Sequence, residues 1–233
     1  MKQIITQHGW GLDQDIWINL KREFSNKDWI WKDNERGYFS YATNSCQWEE
    51  LYEAERIILC HSLGIHLIKE SLFKEATHIV LINSFNSFIP PNKQSTLTIK
   101  TLKRMEKKIN PNLVRSMLEE FINRSFLPNS VDKEFISKYK KKLKEINISL
   151  LIQDFQKLYQ VNSIKKIFPK NTKFLFFKSL NDFILPEDSI DNFLDEISFS
   201  HKNKTKLIKL ENQGHLFSEI SISNQIKEWI INE

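Results

Sequence analysis

The segment RIILCHSLG, Arg56–Gly64, indicates how this chain folds. Its first five residues are a short run without the alternation of a half-exposed strand, which is typical of a buried parallel strand. From Leu63 to Phe73, apolar residues recur at three- and four-residue spacing, which predicts a helix. Ser62 lies on the turn between them. A strand, a sharp turn and a helix in this order form the context in which a serine acts as a nucleophile.

Short apolar runs of the same kind recur along the chain and alternate with helical patterns. The other predicted strands are Gln3–Thr6, Trp29–Trp31, His78–Ile82, Lys173–Phe177 and Lys206–Leu210. The other predicted helices of this alternation are Asp15–Phe24, Gln47–Ala54, Glu187–Ile197 and Ser218–Ile231. Such alternation predicts an α/β fold with a mostly parallel, doubly wound sheet, in which ligands bind at the carboxyl ends of the strands.

A helical segment interrupts this alternation after Ile82. Its predicted helices are Ile99–Ile109, Asn112–Phe126, Val131–Leu143 and Ser149–Tyr159. We therefore expect a core built from residues 1–89 and 160–233, with residues 90–159 inserted as a helical cap, or lid, over the site. Asp154 lies within the last of these helices and is expected to be solvated.

The inserted segment also carries the basic character of the chain. Between Lys93 and Lys144 there are fourteen Lys and Arg against five Asp and Glu, whereas the whole chain has a formal net charge of +5. The rest of the sequence is therefore net acidic. A basic segment can face an acidic partner, but a solvated helical surface in a lysine-rich protein explains the same charge.

Several classes of protein are disfavoured by composition. The sequence has no run of about 18 apolar residues that would predict a transmembrane helix, and its first residues lack the apolar stretch of a signal peptide. Cys46 and Cys60 are its two cysteines, too few for a disulfide framework or a zinc site. We expect a cytoplasmic protein without a membrane partner, a metal or a cofactor.

Glycine is scarce, and four of the five glycines fall in three short segments, Gln7–Gly11, Cys60–Gly64 and Gln213–His215. Because glycine is needed where the backbone takes positive φ or approaches another chain segment closely, these segments are predicted to be special turns. Together they hold a serine, a histidine and a loop suited to binding an oxyanion.

A base and a carboxylate for Ser62 can be found in the predicted loops. His215 follows Gly214 between Lys206–Leu210 and the last helix, and a loop imidazole suits a general base. Asp182 comes shortly after Lys173–Phe177, where a carboxylate can orient the imidazole and stabilise its cation.

These residues also have structural interpretations. Ser62 fits a helix N-cap, and Asp182 fits a turn residue before the next helix, although Asp188 fits a capping role there better. The remaining histidines are expected to be structural, with His61 pointing away from the site; they are His8, His61, His66, His78 and His201.

Ser62, Asp182 and His215 follow different strands in the chain order of the α/β-hydrolase triad. The chain resembles, within that fold, the pimeloyl-[acyl-carrier-protein] methyl ester esterases of biotin synthesis. The resemblance rests on HGWGL at His8–Leu12 with Trp17, on His61–Gly64, on Asp182 with Pro186, on Gly214–His215 and, more weakly, on Leu151–Phe155. It departs at Cys60, where the family pattern has glycine.

The resemblance implies a serine carboxylesterase with the triad Ser62, His215 and Asp182 and with no metal or other cofactor. It implies an oxyanion hole from the main-chain amides of Trp10 and Leu63, with Trp10 also walling the acyl pocket. It further implies that the monomeric enzyme meets its acidic carrier protein through basic residues of the cap, for which the candidates are Lys103, Arg104, Lys107, Arg115 and Arg124.

Other functions fit the same sequence. A general short-chain carboxylesterase or thioesterase would have the same triad, because the cap and not the triad reads the leaving group. A non-catalytic binding protein of the same fold is supported only by the departure at Cys60. Nucleic-acid binding is disfavoured, because the basic segment lacks interleaved aromatic platforms; we expect either a carrier-linked or a small ester as the substrate.

Overall fold

The computed structural model describes residues 1–39, 42–51, 54–89, 91–92, 94–160, 168–217 and 219–232. Within these residues, six parallel strands form one sheet in the order β2-β1-β3-β4-β5-β6. The strands are β1 Lys2–Gln7, β2 Trp29–Asn34, β3 Glu55–His61, β4 His78–Ile82, β5 Lys173–Ser179 and β6 Thr205–Leu210. The predicted α/β class is confirmed, and each predicted strand is present.

Apolar side chains cover both faces of the sheet, as is usual for a parallel sheet. Along β1, Ile4 contributes to one hydrophobic core and Ile5 to the other. The same alternation continues in β3, where Ile57 and Ile58 are both fully buried in opposite cores. Because all strands run in one direction, their carboxyl ends and the loops that follow them meet at one edge of the sheet.

Helices cover both faces of the sheet and its carboxyl edge. The α-helices are α1 Ile18–Glu23, α2 Glu70–Phe73, α3 Ser95–Glu106, α4 Val114–Phe126, α5 Lys133–Lys142, α6 Ile148–Gln160, α7 Ser189–Ser200 and α8 Glu219–Asn232. Short 3-10 helices at Gln14–Trp17 and Ser62–His66 precede α1 and α2. The predicted helix Leu63–Phe73 is therefore split, and the first residue of the predicted helix Ser218–Ile231 lies outside the described residues.

The predicted helix Gln47–Ala54 is wrong: residues 47–51 and 54, which the structure describes, form no regular element. The side chain of Gln3 explains the extended course of this segment. Its amide nitrogen donates to the Glu49 carbonyl at 2.9 Å, and its amide oxygen accepts from the Glu49 main-chain N–H at 2.7 Å. The side chain thus pairs with the segment as a neighbouring strand would.

Helices α3–α6, residues 95–160, form what we call the helical block. The indole N–H of Trp10 donates to the Leu151 carbonyl at 2.8 Å, and the Tyr139 hydroxyl donates to the Gly11 carbonyl at 2.8 Å. The block therefore lies against the loop that follows β1. The borders predicted for this insertion stay a prediction, since Pro90 and residues 161–167 are outside the described part of the chain.

A buried ion pair fastens the helical block to the loop after β2. Asp154 is fully buried, and Arg36 donates to both of its carboxylate oxygens at 2.8 Å. The buried hydroxyl of Tyr38 donates to the same carboxylate at 2.7 Å. The expectation that Asp154 is solvated is wrong, because the helical period alone does not reveal which helix face a distant arginine meets.

Replacing Asp154 with alanine is expected to destabilise the protein by about 3 kcal/mol, because it leaves the partly buried Arg36 and the buried Tyr38 hydroxyl without their acceptor. Urea denaturation measures the change. Glu120→Ala removes a carboxylate whose pair with Lys108 is largely exposed, and it should have little effect. Equal effects of the two substitutions would contradict the importance of the buried pair.

Candidate active site

Ser62 lies at a strained turn directly after β3. Its φ is 53°, in the left-handed region that residues other than glycine seldom adopt. Such strain persists where the surrounding structure enforces it, and it is concentrated at functional sites. The turn lifts the Ser62 side chain out of the line of the strand, towards the loops at the carboxyl edge of the sheet.

Gly64 and Cys60 lie two residues after and two residues before Ser62. A Cβ on Gly64 would lie 2.4 Å from the Gln7 carbonyl oxygen, so no side chain fits there. Cys60, which stands where the resembled family has glycine, is fully buried and packs in the core on one face of the sheet. The structure therefore accommodates a cysteine at this position.

The structure brings Ser62, His215 and Asp182 into one hydrogen-bonded chain. Nε2 of His215 lies 2.9 Å from the Ser62 hydroxyl, and Nδ1 lies 2.7 Å from Oδ2 of Asp182. Since a carboxylate only accepts, Nδ1 carries the proton, and the Nε2 lone pair accepts from the Ser62 hydroxyl. Nε2 is therefore able to take a proton from Ser62.

Asp182 is held as a charged carboxylate by its partners. Burial by itself raises its pKa, but the charge and hydrogen bond of His215 and the amides of Leu185 and Ile184 outweigh burial, so the pKa is lowered. Oδ1 accepts from these amides at 3.0 and 2.8 Å, while Oδ2 faces His215. Asp182 thus accepts from two turn amides and contacts the His215 ring at the same time.

The loop after β1 lies directly against Ser62. A Cβ on Gly9 would be 2.9 Å from the Ser62 Cβ, so the backbone approaches as closely as glycine allows. His8 is fully buried and fixes this loop, since its Nδ1 lies 2.9 Å from the Gly9 carbonyl. Trp10 lies in this loop and Leu63 directly follows Ser62. The structure thus places the two residues predicted to supply oxyanion-hole amides in the segments next to Ser62, and their role stays a prediction.

The Trp10 side chain is buried beneath the helical block. Its ring packs on Phe121 and Phe155, with centroids 5.4 and 5.2 Å away. Ser62 and His215 are only 8% and 1% exposed. The site is therefore shielded from bulk water, with Trp10 between the loop after β1 and the helical block.

The basic residues predicted to meet a carrier protein are all exposed, and they are Lys103, Arg104 and Lys107 at α3 with Arg115 and Arg124 on α4. Spacing of three and four residues places the three at α3 on one face. Arg124 donates to the Phe183 carbonyl at 3.0 Å, in the Asp182 loop, and Arg115 contacts the Lys144 carbonyl at 3.4 Å. The three residues at α3 therefore share one face, while Arg115 and Arg124 lie on the neighbouring helix α4.

Sequence reasoning overlooked Asn83 and misplaced His61. The Asn83 side chain donates to the His215 carbonyl at 2.9 Å, and the His61 ring lies 3.0 Å from the same carbonyl. His61 therefore points towards the site. Their positions in the sequence could have identified them as site residues, because both lie at the carboxyl ends of central strands, where a parallel sheet gathers its functional side chains.

Comparison with solved structures identifies the fold. An esterase from Exiguobacterium antarcticum has a TM-score of 0.74 at 12% identity, covering 99% of this chain and 92% of its own. The chain has the α/β-hydrolase fold. An enol-lactonase from Burkholderia xenovorans has a TM-score of 0.71 at 9% identity, covering 100% and 90%. A hydrolase from Oleispira antarctica has a TM-score of 0.68 at 14% identity, covering 100% and 92%.

Sequence comparison adds no closer assignment: no family model and no curated protein matches the chain. Among the described residues, no cluster of three or more His, Cys, Asp or Glu is arranged to hold a metal ion. No described helix combines the length and the apolar character needed to cross a membrane.

Two buried histidines should make folding sensitive to mild acid. Burial lowers the pKa of His61 to about 3 and that of His78 to about 4. The unfolded chain takes up these protons near pH 6.5, so stability should fall as the pH drops from about 6.5 towards 4. Each histidine should contribute a slope of about 1 kcal/mol per pH unit between pH 6 and 5.

Urea denaturation at several pH values between 7 and 5 measures this slope, with His78→Gln as the variant that lies away from Ser62. The variant should lose stability less steeply than the wild type as the pH falls. Identical slopes for the two proteins would contradict the assignment of His78 as a buried neutral group.

Proposed function

We propose that the protein is a serine carboxylesterase in which Ser62 attacks the ester, His215 is the base and Asp182 orients it. The observation that carries the proposal is the chain of hydrogen bonds from Asp182 through His215 to Ser62, at 2.7 and 2.9 Å, on a serine with φ of 53°. The esterase and the enol-lactonase that share this fold support the reaction class.

In the first half of the proposed reaction, the Ser62 oxygen adds to the ester carbonyl while His215 Nε2 takes the hydroxyl proton. The negative charge that develops on the carbonyl oxygen is stabilised by the amides of Trp10 and Leu63. Collapse of this intermediate breaks the bond to the alcohol, which leaves with the proton from Nε2. An acyl group remains on Ser62.

In the second half, water replaces the alcohol. His215 Nε2 takes a proton from water, whose oxygen adds to the acyl carbonyl, and the same two amides again stabilise the oxyanion. The bond to Ser62 then breaks, and Nε2 returns the proton to the serine oxygen. Asp182 keeps its charge throughout and stabilises the His215 cation in both halves.

The substrate that we propose is the methyl ester of pimeloyl-[acyl-carrier protein], in biotin synthesis. The motif HGWGL at His8–Leu12, on which the family resemblance rests, supports the assignment of a pimeloyl ester. The basic face of α3 supports the assignment of a carrier-linked substrate, since carrier proteins are acidic. General short-chain esters or thioesters are the alternative, and the structurally similar esterase and hydrolase are equally compatible with it. Cytoplasmic location and a monomeric state belong to the same proposal.

Ser62→Ala should abolish ester hydrolysis while leaving the fold intact, because it removes the nucleophile and no core packing. The expected loss in kcat is at least about 10⁴-fold, measured with pimeloyl-[acyl-carrier-protein] methyl ester and with a small aryl ester. Ser116→Ala, at an exposed serine of α4, serves as the control and should keep wild-type activity. Activity retained by Ser62→Ala would place the nucleophile elsewhere.

Charge reversal of Lys103, Arg104 and Lys107 to glutamate should raise KM for the carrier-linked ester at least about tenfold, because attraction becomes repulsion. Hydrolysis of a small aryl ester should change little. Reversal of Lys202, Lys206 and Lys209, exposed residues outside the helical block, gives the same change in net charge as a control. Equal effects of the two triple variants on both substrates would contradict the proposal that Lys103, Arg104 and Lys107 bind the carrier protein.

A further inference from the structure

His61, the residue before Ser62, is a fully buried histidine that the proposed reaction does not use. Its ring lies beside the His215 ring, with centroids 4.9 Å apart. Nε2 lies 3.0 Å from the His215 carbonyl oxygen, and since a carbonyl only accepts, Nε2 must carry the proton. Nδ1, the acceptor nitrogen of this neutral ring, has no partner among the described residues, so the ring's one hydrogen bond there is the one from Nε2.

Asn83 directly follows β4 and contacts the same carbonyl. Its side-chain nitrogen donates to the His215 carbonyl at 2.9 Å and to the Ser179 hydroxyl at 2.9 Å. Its side-chain oxygen accepts from the Ser179 main-chain N–H at 2.9 Å. Asn83 has φ of 45°, a conformation that asparagine tolerates better than most residues. The amide is therefore held from both sides.

Two donors from the ends of adjacent strands thus converge on one carbonyl, and that carbonyl belongs to the base. The helical block adds a third restraint, because the Leu216 main-chain N–H donates to the Ser125 carbonyl at 2.8 Å. The His215 ring must reach Ser62 and Asp182 simultaneously, and a displacement of about 1 Å can cost about a hundredfold in rate. Fixing the His215 main chain therefore fixes both hydrogen bonds of its ring.

We propose that His61 and Asn83 are positioning residues, whose side-chain N–H groups hold the His215 carbonyl so that its imidazole faces Ser62 and Asp182 together. The inference rests on the proposed function, because the ring geometry matters for catalysis only if His215 is the base. Neither residue touches the substrate in this account. Both act through the main chain of His215.

Replacing His61 by glutamine and by asparagine separates this role from simple packing at position 61. In His61→Gln the amide nitrogen can occupy the place of Nε2 and keep the donor. In His61→Asn it falls near the place of Nδ1, too far from the His215 carbonyl. We expect kcat for a small aryl ester to stay within about threefold in His61→Gln and to fall at least about tenfold in His61→Asn, with KM within about twofold in both.

Asn83→Asp gives an independent test, because it keeps the oxygen that accepts from Ser179 and removes the donor to His215. Its kcat should also fall at least about tenfold, with little change in KM. It carries the test alone if His61→Asn does not fold. Equal kcat in His61→Gln and His61→Asn, or wild-type kcat in Asn83→Asp, would overturn the proposal.

A readout without turnover separates this inference from the proposed function. The proton on His215 Nδ1, hydrogen-bonded to Asp182, gives its own nuclear magnetic resonance signal. We expect this signal to be preserved in His61→Gln and to shift or broaden in His61→Asn and Asn83→Asp. If the wild type hydrolysed no ester, the proposed function would fail, and an unchanged signal in His61→Asn would then overturn the inference on its own.

Discussion

The close approach of the loop after β1 to the turn at Ser62 is the constraint on which the site depends. A side chain at Gly64 would collide with the Gln7 carbonyl, and one at Gly9 would collide with the Ser62 Cβ. Ser62 stands at positive φ beside this contact, so the same crowding positions the proposed nucleophile and the loop that carries Trp10. The parallel sheet makes it possible, because β1 and β3 are neighbours and end at the same edge.

The helical block completes this edge and is fastened to it at several points. A Cβ on Gly214 would lie 2.2 Å from the Leu127 carbonyl, so the end of α4 presses on the loop that carries His215. Asp154 joins α6 to Arg36 in the loop after β2. The block therefore helps to position the loop that carries His215, the proposed base, and the loop after β1, in addition to covering them.

Much of this was predictable from the sequence, because buried parallel strands are continuous apolar runs and scarce glycines mark forced turns. The strand His78–Ile82 and the chain order of Ser62, Asp182 and His215 could be predicted in this way. The extended segment after Gln47 was not, because its partner Gln3 is distant in sequence. The burial of Asp154 and the inward direction of His61 also depend on tertiary contacts that no local period encodes.

Labelling with an organophosphonate tests whether His215 activates Ser62, because such reagents add covalently to a serine that a neighbouring imidazole activates and mimic its tetrahedral intermediate. We expect a single adduct, located by peptide mass spectrometry on Ser62 and formed much more slowly in His215→Gln. An adduct on another residue, or equal rates of labelling at Ser62 with and without His215, would contradict this expectation.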